Sequence, residues 1–259
     1  MRHLIPHDSG LQQTKLSAEP DNRILHLTSN LLAINAAVAQ RIVMLRILAL
    51  SLCFTSNALA CETALLLSID ISGSIDEGEY AIQIEGLALA LNDVAIADTL
   101  GAGQMALAVV HWSGVGRQAL VLPWQRMIAP ADVARFAAAV AAQPRAFTAS
   151  DTAVGEAIDF SAAQFTAVPD CQRHVIDISG DGPENSGFTD AAARSRAQNS
   201  DIEINAIAIE DMGITNPVTR YYQKWVITRG GFVMTARGLQ DYPRAMREKI
   251  LREISKIIG

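Results

Sequence analysis

An acid and two hydroxyl side chains stand at alternate positions in residues 70–74, which read DISGS. Alternate residues of an extended chain can point the same way. Carboxylate and hydroxyl oxygens together form the oxygen-rich environment that hard cations such as Mg²⁺ prefer. Asp70, Ser72 and Ser74 therefore predict part of a metal site. Taken alone the motif is a weak indication, because a serine-rich helix cap has the same composition.

The segments beside this motif predict the elements that position it. Residues 64–70 (ALLLSID) are almost all apolar, which is typical of a strand buried on both faces of a parallel sheet. A helix is expected to begin after Ser74, because Asp76 and Glu79 form a capping signal ahead of apolar residues at helical spacing. The motif thus lies between a strand end and a helix start.

From Thr63 onward, β-rich runs alternate with helical stretches, which predicts an α/β fold with a mostly parallel sheet. The turn at residues 114–117 favours a hairpin, and so one antiparallel strand at an edge of the sheet. The further predicted strands are 105–112, 118–124, 174–179, 202–209 and 232–235, and the further predicted helices are 130–142, 152–165, 189–199, 217–227 and 239–258.

Composition and charge restrict the possible partners. The 259 residues are 50% hydrophobic and 5% aromatic, which suits helices packed on one buried sheet in a single domain. The formal charge is −6, the isoelectric point is near 5.4, and the sequence shows no basic stripe, so we expect no binding to nucleic acid or to an anionic membrane surface. The nucleotide-binding P-loop and G-x-G-x-x-G motifs and the G-x-S-x-G hydrolase motif are absent from the sequence. The expected partners are metals and proteins.

Residues 44–60 (MLRILALSLCFTSNALA) have the pattern of a secretory signal peptide. A cation at Arg46 precedes a short apolar run at Ile47–Phe54, and Ala58-Leu59-Ala60 forms a cleavage signal. The run is far shorter than the roughly 20 residues of a membrane span. We therefore expect a periplasmic or secreted protein whose mature domain is residues 61–259. Residues 1–43 are interpreted as a disordered or non-translated extension, with translation beginning at Met44.

Cleavage after Ala60 leaves Cys61 as the first mature residue, so lipidation of that cysteine is an alternative. The lipoprotein pattern has Leu three residues before the cysteine, where this chain has Ala58, and export without a lipid anchor is therefore favoured. Cys53 lies inside the signal. Only Cys61 and Cys171 then remain, and an oxidising compartment would pair them.

Two distant segments complete a resemblance to the von Willebrand factor A family, in which D-x-S-x-S, a Thr and a second Asp form one metal site. The resemblance covers nearly all of residues 62–258. Thr152 precedes a predicted helix and Gly155 by the family spacing, with Thr148 as the fallback. Asp181 follows a predicted strand, as the second acid does in the family. Gly180 stands where the family pattern has Thr, a change that removes no ligand.

The resemblance implies a doubly wound, six-stranded sheet flanked by helices, and a metal-ion-dependent adhesion site (MIDAS) that binds Mg²⁺, or alternatively Mn²⁺ or Ca²⁺. Ser72, Ser74 and Thr152 would ligate the ion directly, and Asp70 and Asp181 through water. One coordination position would remain for an acidic residue of a protein ligand. Such a site binds its partner and performs no catalysis.

The family's strand order also bears on the cysteines. It makes the strands that end at Asp70 and Asp181 neighbours at the switch point of the sheet. Cys61 and Cys171 precede these acids by nearly equal distances, so both would lie at the opposite rim, where a disulfide is geometrically reasonable.

Several other polar residues were weighed against this prediction. Asp177, within a buried strand, is expected to bond a neighbouring segment, whereas Glu184 could equally shape the metal face or be solvated. A metal-assisted hydrolase is the alternative function, with Glu184 or Asp177 as its only candidate bases. A scaffold that binds no metal is the third hypothesis. Isolated histidines without paired spacing make a zinc site of the H-E-x-x-H type improbable. The same two roles, shaping the metal face or being solvated, are open to three further residues: Asn185, Glu210 and Asp211.

Overall fold

The computed structural model describes residues 61–148, 150–210 and 217–255. The predicted signal peptide at 44–60 and the extension at 1–43 lie outside the described residues, as does Asp211. None of the individual helices within the described ranges has the length and hydrophobicity of a membrane span. The first two helices, bent by 67° at their junction, reach that length and composition only as a pair.

One six-stranded sheet forms the centre of the domain, with the strand order β3-β2-β1-β4-β5-β6. All neighbours are parallel except the edge hairpin of β2 and β3. The predicted α/β class, the strand number and the antiparallel edge strand are confirmed. The strands are β1 (Thr63–Asp70), β2 (Ala106–Trp112), β3 (Gln118–Arg126), β4 (Arg173–Gly180), β5 (Ile202–Glu210) and β6 (Val233–Arg237).

Helices pack on both faces of the sheet. Residues Leu65, Leu67 and Ile69 of β1 belong to one apolar layer, and Ala64 and Leu66 to the other, because successive side chains of a strand alternate. The helices are α1 (Glu77–Leu91), α2 (Val94–Ala102), α3 (Pro130–Ala141), α4 (Val154–Gln164), α5 (Asp190–Asn199), α6 (Pro217–Tyr221) and α7 (Tyr242–Ser255).

The helix boundaries differ from the sequence-based expectation in three places. Helix α2 was not predicted, although Asp93 caps it by accepting from the backbone N–H groups of Ala95 and Ile96. The helix expected at 217–227 is α-helical only to Tyr221 and then turns as a π-helix over Tyr222–Val226. The helix expected from Leu239 begins with a 3₁₀ turn, Leu239–Asp241, before α7. Hydrophobic periodicity indicates a helical segment but does not distinguish α-helical, 3₁₀ and π-helical turns.

A disulfide bond joins Cys61 and Cys171, whose Cα atoms are 4.3 Å apart. It lies at the starts of β1 and β4, where Gln172 N–H donates to the Cys61 carbonyl at 2.8 Å. The predicted pairing, at the rim opposite Asp70, is therefore present. It closes a loop of 110 residues, and the chain-entropy argument gives such a loop a stabilisation of at most about 4.7 kcal/mol.

A buried ionic triad connects α7 to the sheet. The Lys249 ammonium forms ion pairs with Asp177 of β4 and with Glu253 one turn further along α7. All three side chains are almost entirely buried. The expectation that Asp177 bonds a neighbouring segment is confirmed. Burial raises the pKa of Asp177, and the two carboxylates raise the pKa of Lys249 although burial opposes this.

Candidate metal centre

The first two residues of the predicted motif are held against each other at the end of β1. Asp70 and Ser72 are fully buried. The backbone N–H of Ser72 donates to Asp70 Oδ1 at 2.7 Å, a local bond that folds the chain back over the strand end. The Ile71 N–H donates to the Trp112 carbonyl of β2 at 2.9 Å. The loop is therefore fixed by its own carboxylate and by the neighbouring strand.

Hydrogen bonds continue from this loop to the second acid. The Oγ atoms of Ser72 and Ser74 are 3.3 Å apart. Ser74 Oγ donates to Asp181 Oδ1 at 2.7 Å, across 107 residues of sequence. Because β1 and β4 are parallel neighbours, their carboxyl ends meet at one edge of the sheet. The structure thus brings Asp70, Ser72, Ser74 and Asp181 together.

Thr152 lies in a loop that contacts the motif through the backbone. Gly73 N–H donates to the Ser150 carbonyl at 2.7 Å, and Thr152 is 5% exposed. Its N–H donates to Asn185 Oδ1 at 2.8 Å, and the Asn185 N–H donates back to its carbonyl at 2.9 Å. The fallback residue, Thr148, is exposed. Of the two threonines, Thr152 is the one that the loop after β4 holds in place.

Glu184, which the sequence left undecided, fastens two helices beside the site. Its Oε1 accepts from Gly155 N–H at 2.8 Å, in the first turn of α4. Its Oε2 accepts from the N–H groups of Thr189 and Asp190 at 2.7 and 3.0 Å, where α5 begins. A carboxylate at a helix N-terminus is favourable because it meets unsatisfied donors and the positive end of the helix dipole. Glu184 therefore has a structural role, because it links the starts of α4 and α5.

Arg145 is a site neighbour that the sequence analysis missed. Its Nη2 donates to the carbonyls of Ile71 and Ser72 at 2.7 and 2.9 Å. The guanidinium thereby holds the backbone of the motif from outside it. Arg145 follows Pro144 in a loop without regular spacing, and no sequence pattern indicates its contact.

Asp70 is a buried acid whose charge is poorly balanced. Burial and the nearby charge of Asp181 raise the pKa of Asp70 to about 7, against the hydrogen bonds from Ser72 and the charge of Arg145. Its second oxygen, Oδ2, is buried and accepts no hydrogen bond from the described parts of the chain. An opposite charge close by would favour the ionised form.

These residues fit a hard divalent cation. The donor set consists of carboxylate and hydroxyl oxygens, the ligands that Mg²⁺, Mn²⁺ and Ca²⁺ prefer. The unpartnered oxygen of Asp70 and the second acid beside it supply the negative charge that such an ion needs. A zinc site of the His/Cys type has no counterpart, since the described residues contain no cluster of three His, Cys, Asp or Glu.

Neither candidate base of the hydrolase alternative has the required freedom. Both oxygens of Glu184 accept backbone hydrogen bonds, and Asp177 is buried in the ion pair with Lys249. A general base must reach the proton that it removes.

The sheet order and the flanking helices give this chain the fold of von Willebrand factor A domains. A proximal thread matrix protein 1 structure from the mussel byssus with a zinc-occupied MIDAS motif aligns with a TM-score of 0.57 at 16% identity, covering 74% of this chain and 48% of that one. A von Willebrand factor type A protein from Catenulispora acidiphila aligns with a TM-score of 0.52 at 18% identity, covering 74% and 43%. This chain thus spans about half the length of these two proteins or less.

The von Willebrand factor domain of the type V pilus tip protein Mfa5 from Porphyromonas gingivalis aligns over 98% of its own length and 78% of this chain, with a TM-score of 0.53 at 10% identity. At these identities the likeness concerns the fold. The chain belongs to the family described as protein of unknown function DUF1194, which matches residues 60–258. No curated protein matches the chain significantly.

Proposed function

We propose that this protein is an exported binding module that holds a divalent metal ion at Asp70, Ser72, Ser74, Thr152 and Asp181 and uses it to bind an acidic residue of a protein ligand. The observation that carries the proposal is the buried Asp70 carboxylate, which has one oxygen without a partner among the described residues and lies near Asp181 and two serine hydroxyls. Buried carboxylates are normally paired, hydrogen-bonded or bound to metals.

The chain's own residues divide the work at this site. The hydroxyls of Ser72, Ser74 and Thr152 would contact the ion, and Asp70 and Asp181 would balance its charge from behind. Since the hydroxyls are neutral, the ion keeps enough positive charge to attract a further carboxylate. Arg145, Asn185 and Glu184 hold the three loops at this edge of the sheet. Mg²⁺ is the expected ion, with Mn²⁺ and Ca²⁺ as alternatives.

An exported location is supported by two independent features. The Cys61–Cys171 disulfide is of the kind that persists in oxidising compartments, and residues 44–60 have the signal-peptide pattern. One structural neighbour is a pilus tip protein. We therefore propose a periplasmic or secreted protein, without a lipid anchor at Cys61.

Acetate and acetamide, which differ in charge, test the binding of a carboxylate. In water-proton relaxation of the purified protein loaded with Mn²⁺, acetate is expected to displace water from the bound ion, and acetamide is not. The variants Asp70→Ala and Ser72→Ala should abolish the protein-bound Mn²⁺ signal, whereas Ser195→Ala, an exposed serine of α5, should retain it. Bound Mn²⁺ that responds equally to both probes would refute the carboxylate-binding role. The absence of bound Mn²⁺ would favour the scaffold hypothesis.

A further inference from the structure

A second polar atom without a partner lies close to Asp70. The Tyr222 side chain is fully buried, and its hydroxyl makes no hydrogen bond to any described residue. The same is true of Asp70 Oδ2. A buried polar group without a partner costs about 1–3 kcal/mol, so two of them in one place require a common explanation.

Gly180 shows how close the two atoms are. A Cβ atom at Gly180 would lie 2.3 Å from Tyr222 Oη and 2.9 Å from Asp70 Oδ2. Both distances are shorter than ordinary contacts of a Cβ atom, so a side chain would fit only if the Tyr222 hydroxyl and the Asp70 carboxylate moved. The phenol hydroxyl therefore occupies the space that a side chain at residue 180 would take, beside the carboxylate of Asp70. The family pattern has Thr at residue 180, where this chain has glycine and therefore no side chain.

The position of Tyr222 is set by the helix that carries it. The ring packs in the apolar layer with Ile178 and Val218, at the point where α6 gives way to the π-helical turn. Such turns occur frequently at functional sites. Its neighbour Tyr221 points elsewhere, since the Tyr221 hydroxyl donates to Asp190 Oδ2 at 2.7 Å. Of these two tyrosines, Tyr222 is the one whose hydroxyl is directed towards the metal centre.

We propose that Tyr222 is a positioning residue of the metal centre, whose hydroxyl donates a hydrogen bond to Asp70 Oδ2 through one water molecule, in place of the side chain that residue 180 lacks. Its role at the ion rests on the proposed function, whereas its bond to Asp70 does not. The hydroxyl remains a donor at neutral pH, because burial and the charge of Asp70 raise the pKa of Tyr222 well above its ordinary value. The bond would fix the carboxylate in the orientation that the site requires.

Thermal unfolding of the metal-free protein at pH 8, in excess chelator, tests the bond itself. Tyr222→Phe removes one oxygen atom and should lower the midpoint by about 3 °C, the effect of losing one hydrogen bond in a domain of this size. In the Asp70→Ala background the same substitution should leave the midpoint unchanged or raise it. Equal losses in the two backgrounds would overturn the proposal, whether or not the protein binds a metal.

The affinity for Mg²⁺, measured by calorimetry, tests the positioning role. Tyr222→Phe should weaken binding about tenfold, and the matched control Tyr221→Phe should change it less than twofold. Binding of Mg²⁺ should also produce a tyrosine difference spectrum in the near ultraviolet that Tyr222→Phe abolishes and Tyr221→Phe retains. Equal behaviour of the two variants would overturn the positioning role. A wild-type protein that binds no Mg²⁺ would refute the proposed function and the role at the ion, and the metal-free comparison would still decide the hydrogen bond.

Gly180→Ser combined with Tyr222→Phe tests whether a hydroxyl at residue 180 can replace the hydroxyl of Tyr222. A serine at residue 180 would have its Cβ 2.9 Å from Asp70 Oδ2, so a small shift of that carboxylate would bring it within hydrogen-bond distance of the serine hydroxyl. We expect the double variant to recover most of the Mg²⁺ affinity lost in Tyr222→Phe. Gly180→Ser alone should lower the unfolding midpoint, since its side chain meets the Tyr222 hydroxyl. A double variant that remains as weak as Tyr222→Phe would contradict this replacement.

Discussion

Two pairs of carboxylates lie near β4, one in the interior and one at the end of the sheet. In the interior, Asp177 and Glu253 share the ammonium of Lys249. At the end, Asp70 lies near enough to Asp181 for that charge to raise its pKa. In the described parts of the chain, no Lys or Arg side chain forms an ion pair with Asp70.

The two pairs separate a stabilising ion pair in the interior from the proposed binding site at the sheet edge. The interior pair is neutralised by a cation that the chain itself supplies, so it holds α7 on the sheet. The pair at the end lies at the sheet edge where ligands bind in doubly wound folds. There Ser74 Oγ donates to Asp181, and the charge of Arg145 acts on Asp70 without forming an ion pair. In the proposed function, an ion from solution would balance the charge of Asp70.

Removing the built-in cation should have the largest effect. Lys249→Met leaves two buried carboxylates without their counter-charge, and breaking a buried pair in this way costs about 3–5 kcal/mol. Urea unfolding should show this loss, whereas Lys224→Met, at an exposed position, should change the free energy of unfolding by less than about 0.5 kcal/mol. A loss at Lys249 as small as at Lys224 would mean that the triad is not a stabilising device.

Removing a charge from the pair at the sheet edge should instead raise the free energy of unfolding. Asp70→Asn removes a buried charge but keeps an oxygen for the Ser72 N–H, so the metal-free protein should gain on the order of 2 kcal/mol at pH 8. Asp98→Asn, an exposed aspartate of α2, is the matched control. A metal-free Asp70→Asn variant that is less stable than the wild type would show that the edge carboxylate is already balanced within the chain.

Removing the Arg145 guanidinium is expected to have a smaller effect on the free energy of unfolding. Arg145→Met removes the two hydrogen bonds to the Ile71 and Ser72 carbonyls. The free energy of unfolding should fall by about 1 kcal/mol, and Mg²⁺ affinity should fall with it because the motif loses its support. The exposed Arg135 provides the control, as Arg135→Met. If both variants bind Mg²⁺ equally well, the guanidinium does not position the site.

The pH dependence of stability should report the buried carboxylates of the interior pair. Burial raises the pKa of Glu253 from its ordinary 4.5 to about 7, with Asp177 and Glu203 adding to the shift and Lys249 opposing it. The folded state therefore binds more protons than the unfolded state between these values, and this contribution to stability is lost as pH rises from about 4.5 through 7. Glu253→Gln should flatten that decline in the unfolding midpoint. An unchanged slope would refute the shift.

Much of the fold could be predicted from the sequence because its buried strands are apolar and separated by helical periodicity. The motif at 70–74 could be proposed because it stands at the end of a buried strand, whereas Thr152 and Asp181 were proposed from the resemblance to the von Willebrand factor A family. Arg145 and Tyr222 could not, since the first lies in an irregular loop and the second reads as an ordinary core aromatic. The hydrogen bond of Arg145 to Ile71 spans 74 residues, and the proximity of Tyr222 to Asp70 spans 152 residues, so no local pattern encodes either. Gly180 was visible as a departure from the family, but only the fold shows which atoms lie where its side chain would be.

Calorimetric titration of Mg²⁺ into the purified protein asks whether the five proposed ligands form a metal site. Asp70→Ala and Ser72→Ala are titrated beside it, with Asp98→Asn and Ser195→Ala as controls. We predict saturable binding at one site, abolished by the first two substitutions and retained in the two controls. Wild-type protein that binds no Mg²⁺, or binding that survives both site substitutions, would contradict the account.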